Sequence, residues 1–317
     1  MRNNRVFRAL TQSPVVLLCV LFITAITVLA VVVPVLGLQD PTAQSVLFRL
    51  KAPSAEHLFG TDRLGRDILS RVAWGTRVSL VVGVAVVVLS ASFGTFFGTL
   101  AGYFRGWPSA VILRATDILL AFPPLIVAMV TVTVLPNTLL TVVLAISIGI
   151  IPRFARVARG TIVSIRERDY VEAARALGAP ARSIILRHVL LNAVDPLIVL
   201  STLIIPTAIL TEALLSFLGL GITEPTPTWG NMINSGQLVL RDAPWLTFFP
   251  GAAIVLTVLA FNLLGDAIRD ALDPAVQDPR ARRSAPATQA GATRFEEPLS
   301  VDRQPAAQPR RRPSLSR

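Results

Sequence analysis

Long runs of apolar residues decide what this chain can fold into. Val15 to Leu36, Val78 to Ala101, Ile118 to Leu135, Thr138 to about Arg156, Val194 to Leu215 and Phe248 to Ile268 carry almost no charge. A run of about 18 or more such residues crosses the hydrocarbon core of a bilayer as a helix. The sequence therefore predicts an all-α membrane protein with six spans. Composition agrees, since only 15% of the 317 residues are charged and 53% are hydrophobic, whereas an average soluble domain carries about 25% charged residues. A soluble enzyme is the wrong class for this chain.

The inventory of reactive side chains excludes further classes. One cysteine, Cys19, and two histidines, His57 and His188, cannot build a CxxC pair, a zinc cage or an HExxH site. The single lysine, Lys51, stands in RLKAPS, outside any GxxxxGK[ST] loop, so ATP hydrolysis by this chain is not expected. Arg2, Arg5 and Arg8 precede the first apolar run in the manner of a signal peptide. That run is too long and lacks a small-x-small cleavage site, which predicts a retained anchor.

The expected organisation has four parts. Residues 1–14 form a cytoplasmic N-terminus, and 15–77 the first span with an outer loop. Residues 78–278 form the transmembrane core, with a polar insert at 159–192, and 279–317 a disordered tail rich in proline and arginine. The tail contributes +6 of the +11 net charge. Its RRRP run at 310–313 could touch anionic lipid or nucleic acid, but with no interleaved aromatics a solvated, functionally minor tail is the expectation. In the loop after span one, Thr61 or Asp62 is expected to cap a short surface helix with Leu64, Ile68 and Val72 on one face.

Basic residues orient the chain. With the N-terminus inside, the inner segments 1–14, 103–117 and 153–192 hold 3, 2 and 8 basic residues, and the outer loops 136–138 and 216–247 hold 0 and 1. The first outer loop departs from this pattern, with 6 basic against 4 acidic residues. Six crossings put both termini in the cytoplasm.

The insert RERDYVEAARALGAPARSIILRHVLLNAV is the most informative segment. Tyr170, Ala173, Ala174 and Leu177 recur at i, i+3, i+4 and i+7, and Arg168 is placed to pair with Glu172, which predicts a short helix. Gly178 then stops it and Pro180 starts another. The product is a helix, a sharp turn and a helix. Such an elbow suits a groove of another protein, and equally suits an amphipathic connector on the membrane surface; periodicity does not choose between them.

EAARALG, followed ten residues after its glycine by His188, resembles the EAA loop of ABC importer permeases. The resemblance is closest to the C-type permeases of dipeptide and oligopeptide importers. FGTDRLGRDILSRVAWGTRVSL, DILLAFP, PRFARVARG, TEALLSFLGLG with PTWGNMI, and NLLGDAIRDALDP are similar to that family's segments and stand in its order. The chain departs at Leu191, where the family usually has proline.

The resemblance implies a type I ABC importer permease fold and a non-catalytic subunit in the inner membrane, moving di- or oligopeptides by alternating access. It places an ATPase-coupling site at Tyr170, Glu172, Ala173, Ala174, Leu177, Gly178, Ala179 and His188. The implied partners are a homologous second permease, two ABC ATPase subunits or domains, an extracytoplasmic substrate-binding protein, the peptide and membrane lipid. ATP and Mg would be held by the ATPases, with no cofactor on this chain. A nickel chelate, glutathione or another small solute is the alternative cargo. An ion-coupled secondary carrier is the alternative class, with Asp195 and Glu212 of span five as its candidate ion-binding carboxylates.

Other features have two readings each. Ser90, Gly94, Gly98 and Gly102 line one face of span two, for packing inside the subunit or against the partner permease. Glu212 is a pore-lining group or a structural bond to a neighbouring helix. Pro123, Pro124, Pro152, Pro196 and Pro206 can each kink a span. Arg153, Arg156 and Arg159 reach headgroups or an ATPase.

Overall fold

The computed structural model describes residues 13–272, which lie in a compact unit ending at Asp273. The expected tail and the segment with Arg2, Arg5 and Arg8 lie outside these residues. Among the described residues the ordered structure is helical, apart from one isolated bridge between Thr61 and Asp67. In chain order the helices are α1 (Pro14–Val32), α2 (Ile68–Tyr103), α3 (Trp107–Ala121), α4 (Pro124–Val134) and α5 (Leu139–Arg166). They are followed by α6 (Asp169–Ala176), α7 (Ala181–Ile184), α8 (Val194–Phe217), α9 (Trp229–Gln237) and α10 (Trp245–Leu272).

The separate surface helix expected after span one is not formed. Asp67, not Thr61 or Asp62, caps the next helix by accepting from the Ser70 N–H at 2.8 Å, and Ile68 and Val72 lie in the first turns of α2. The Asp62 carboxylate instead accepts from the backbone N–H groups of Leu64 and Arg66 at 2.8 and 2.9 Å. These bonds close a turn in which Gly65 has φ +74°, with the Ser45 carbonyl where a Cβ would stand. At 1.5 Å per residue the 36 residues of α2 extend about 54 Å, well beyond the about 30 Å of hydrocarbon. The first turns of α2 therefore belong to the loop face.

The third apolar run is not one straight span. It splits into α3 and α4, which meet at 91°. Pro123 disfavours helical backbone at Phe122, and neither Pro123 nor Pro124 has an N–H to donate; Phe122 and Pro123 accordingly have ψ 140° and 131°. Neighbouring helices show how the pair must be counted. Gly94 of α2 packs on Ile151 and Phe154 of α5, Gly98 on Ala155 and Ala158, and Gly102 on Arg159 and Ile162. The contacts advance together along both helices, so α2 and α5 run parallel. The chain between them must return across the membrane once, which makes α3 and α4 one broken crossing and the total six.

The remaining spans alternate. Along α2, Ser79 lies beside Glu212 of α8 and Gly83 meets Ile209 and Ile205, while Gly265 late in α10 meets Thr202 and Leu203 in the first half of α8, so α8 runs against both neighbours. Residues 13 and 272 consequently share one face, called here the elbow face after the segment 167–193. The opposite face carries 37–67 and 218–244. Pro152, Pro206 and Pro250 lie within helices, Pro196 in the first turn of α8.

The small-residue stripe of span two is an internal packing surface. A methyl added at Gly98 would stand 2.5 Å from the Ala155 carbonyl oxygen and 2.6 Å from Ala158 Cβ. Close approach of two backbones supplies the dispersion that holds helices together in lipid, where burial from water contributes little. Around this seam Val82, Val86, Ile146, Ile150, Phe154, Ile162 and Ile204 form the main core. By contrast, α1 buries only Cys19 and Ala30, which places it at the periphery.

Candidate functional site

The elbow is built as two short helices around a glycine. In α6 the Leu177 N–H donates to Ala173 O, Gly178 N–H to Arg175 O and Ala179 N–H to Ala174 O, at 3.0 to 3.1 Å. This is a Schellman ending, which requires left-handed backbone at the residue past the helix, and Gly178 has φ +79°. The chain turns at once into α7, which continues as a π-helical turn over Ile185–Val189. It breaks again at Leu190–Ala193 before α8, so the second bend forms with Leu191 in place of proline.

The buried face of the elbow differs from the expected stripe. Val171, Ile184 and Val189 are its fully buried anchors, with Ala174 and Ala179 packed beside them on the main core. Tyr170, Glu172, Ala173, Leu177 and Gly178 are exposed, Leu177 by 88%. The Tyr170 and His188 rings come together across the turn, 6.4 Å apart. The Arg168 to Glu172 ion pair is not formed among the described residues; the two are joined by backbone, Glu172 N–H to Arg168 O at 3.1 Å. At the base of the elbow, Arg166 Nη1 donates to the Gly102 carbonyl at 2.7 Å and faces that of Tyr103 at 3.4 Å. The guanidinium thereby caps the C-terminal end of α2, where unsatisfied carbonyls favour a cation.

The loop face holds a charge cluster that the sequence reading did not assemble. Arg66 donates through Nη1 and Nη2 to the two oxygens of Glu224, both at 3.1 Å, and through Nε to Asp62 at 2.6 Å. Arg71, 1% exposed, donates to the Pro41 carbonyl at 3.1 Å and to Glu224 at 3.4 Å. Burial alone would push the Glu224 carboxyl up, but the hydrogen bonds and charge of Arg66, with the charge of Arg71, hold it below its ordinary value. Burial likewise disfavours the Arg66 charge, and Glu224 and Asp62 outweigh it, so the guanidinium is held above its ordinary pKa.

Two tryptophans complete this loop structure. Trp229 Nε1 donates to the Val72 carbonyl at 3.1 Å and Trp245 Nε1 to that of Thr61 at 3.3 Å, while Phe59 and Phe249 stack 3.9 Å apart. Thr228 and Asn231 cap α9 reciprocally. The only sequence signal for the cluster is the excess of basic residues in the first loop, which Arg66 and Arg71 explain by pairing across to Glu224.

The remaining candidates fall elsewhere. Glu212 is fully buried; its Oε1 accepts from Ser216 at 2.7 Å, and the Ser79 and Thr228 hydroxyls lie beside it. Arg156 pairs with Asp117 of α3 at 2.9 Å. His57 Nδ1 is 2.9 Å from Asp67.

Residues 94–278 match the family described as binding-protein-dependent transport system inner membrane component. The chain belongs to this family. The dipeptide transport system permease protein DppC of Alkalihalophilus pseudofirmus is 41% identical over 268 residues, spanning 84% of this chain and 88% of that one. The glutathione transport system permease protein GsiD of Pectobacterium atrosepticum is 45% identical over 224 residues, 71% of this chain and 74% of that one. Among solved structures, a chain of the MetNI methionine ABC transporter in an inward-facing conformation covers 64% of this chain and 96% of itself, with TM-score 0.53 at 18% identity; that likeness concerns the fold.

This inner membrane component is thus a multi-pass permease subunit of an ABC importer, with the permease fold, and is not an enzyme. Membership implies ATPase and substrate-binding partners. The ion-coupled carrier falls with the same finding.

Proposed function

We propose that this permease subunit moves short peptides into the cell, paired with a homologous second permease and driven by two ATPase subunits that hold ATP and Mg. The observation that carries the coupling role is the exposed, glycine-turned elbow between the inner ends of α5 and α8. Tyr170, Glu172, Ala173, Leu177 and Gly178 offer the contact surface, and Ala174, Ala179 and His188 support it from behind. Val171, Ile184 and Val189 tie the elbow into the core, so a push from closing ATPases passes to α5 and α8. A substrate-binding protein docks on the loop face, both termini lie in the cytoplasm, and no group on this chain takes part in hydrolysis.

The cargo reading is supported by relatives named for dipeptide and glutathione transport. Glutathione is the second reading, and as a tripeptide it belongs to the same chemical class. The coupling test is purification of the tagged complex with Glu172→Lys and Gly178→Val combined. The expected result is loss of the ATPases with the second permease retained. Normal ATPase recovery and normal uptake by that variant overturn the coupling assignment.

A further inference from the structure

A cavity of about 560 Å³ opens on the loop face, between the first loop and the segment from Ser216 to Leu238. Its polar groups are mostly committed. Arg66 spends all three guanidinium nitrogens on Glu224 and Asp62, and Glu224, the one acid among the lining residues, spends both oxygens on Arg66 and Arg71. Asn231 donates to the Thr226 carbonyl at 2.8 Å and Ser216 to Glu212 at 2.7 Å. Arg49 and Arg63 also line the cavity and form no ion pair among the described residues. The cavity therefore presents two uncommitted guanidinium groups and no uncommitted carboxylate to compete for them.

A planar guanidinium matches a carboxylate with two parallel donors. Leu64, Ile222 and Leu238 supply apolar wall beside the arginines, which suits the side chain next to a terminal carboxylate without demanding a particular one. The volume is that of a small-molecule site, about 300 to 1,000 Å³, and exceeds what one acidic side chain of a docked protein needs. We propose that this cavity is a carboxylate site in which Arg49 and Arg63 receive the C-terminal carboxylate of a short peptide before it crosses. The assignment rests on the peptide reading of the cargo.

The test compares Ala-Phe with Ala-Phe-amide in proteoliposomes holding the complete importer, with one binding protein throughout. Wild type and the Arg49→Gln, Arg63→Gln double variant are measured for uptake, for peptide-stimulated ATPase and for binding-protein affinity. Both arginines are at least partly exposed and unpaired, and Arg49→Lys with Arg63→Lys serves as the conservative control. The expected result is an acid-to-amide preference lower by about tenfold in the glutamine variant, partly restored by lysine, with binding-protein affinity unchanged. An unchanged preference overturns the site. Equal loss of acid and amide uptake together with weaker binding-protein affinity also overturns it, and gives the arginines to an acidic side chain of that protein. Failure of the cargo reading is seen in the wild type, which would accumulate neither peptide; failure of the site is seen only in the variant.

Discussion

Gly98 and Gly160 are chemically identical and physically opposite. Gly98 of α2 is pressed against the Ala155 carbonyl and Ala158 of α5, whereas a Cβ on Gly160 meets nothing within 4 Å. Gly98→Ala must push two backbones apart, an overpacking that costs about 1 to 3 kcal/mol. Gly160→Ala adds helix propensity without contact and is expected to be neutral or stabilising by about 1 kcal/mol. Cys19 is buried and is the chain's single cysteine, so its reaction with a thiol dye on heating reports both variants. Equal melting of the two would mean that α2 and α5 are not packed as described. The repeat of small residues was legible in the sequence. Its partner was not, because spacing shows a face and never what covers it.

At the scale of elements, the loop face is a joint between segments about 160 residues apart in the chain. Removing the Glu224 charge leaves Arg66 and Arg71 with Asp62 alone. Because the Glu224 side chain is 40% exposed, solvent screens part of the loss, and Glu224→Gln is expected to cost about 1 to 2 kcal/mol of local stability. The Glu224 pKa is depressed in the fold, so its contribution is complete above the unfolded carboxylate value of about 4.3 and disappears as pH falls through the lower folded value. Hydrogen exchange over 60–67 and 218–228 should therefore be slower in wild type than in Glu224→Gln at pH 7, the two converging in acid. A difference that stays the same however far the pH is lowered would mean that the charge is not what joins the loops. The elbow, by contrast, was legible to its turning residue, since Gly178 and Pro180 punctuate locally. Its buried face was not, because the core selected Val171 over the stripe through Tyr170 and Leu177.

At the scale of the whole molecule, six crossings and the clustered arginines of 153–192 make a prediction about sidedness. In a Cys19→Ala background, Thr42→Cys on the loop face should react with an impermeant maleimide from outside intact cells. Ala176→Cys on the elbow should react only after the membrane is opened. The reverse pattern would invert the chain and remove the elbow from the ATPases.

The sequence by itself determined that the chain is helical, that it crosses the membrane, where the elbow turns and to which family it is similar. These follow from local properties: apolar length, glycine and proline stereochemistry, and the order of short motifs. Only the tertiary structure decided that the third apolar run breaks by 91° and still counts as one crossing, that the small-residue stripe belongs to α5, and that Glu224 closes on Arg66. Each is a meeting of residues far apart in the chain, fixed by the helix that happens to lie opposite, and neither periodicity nor composition carries the identity of a distant neighbour.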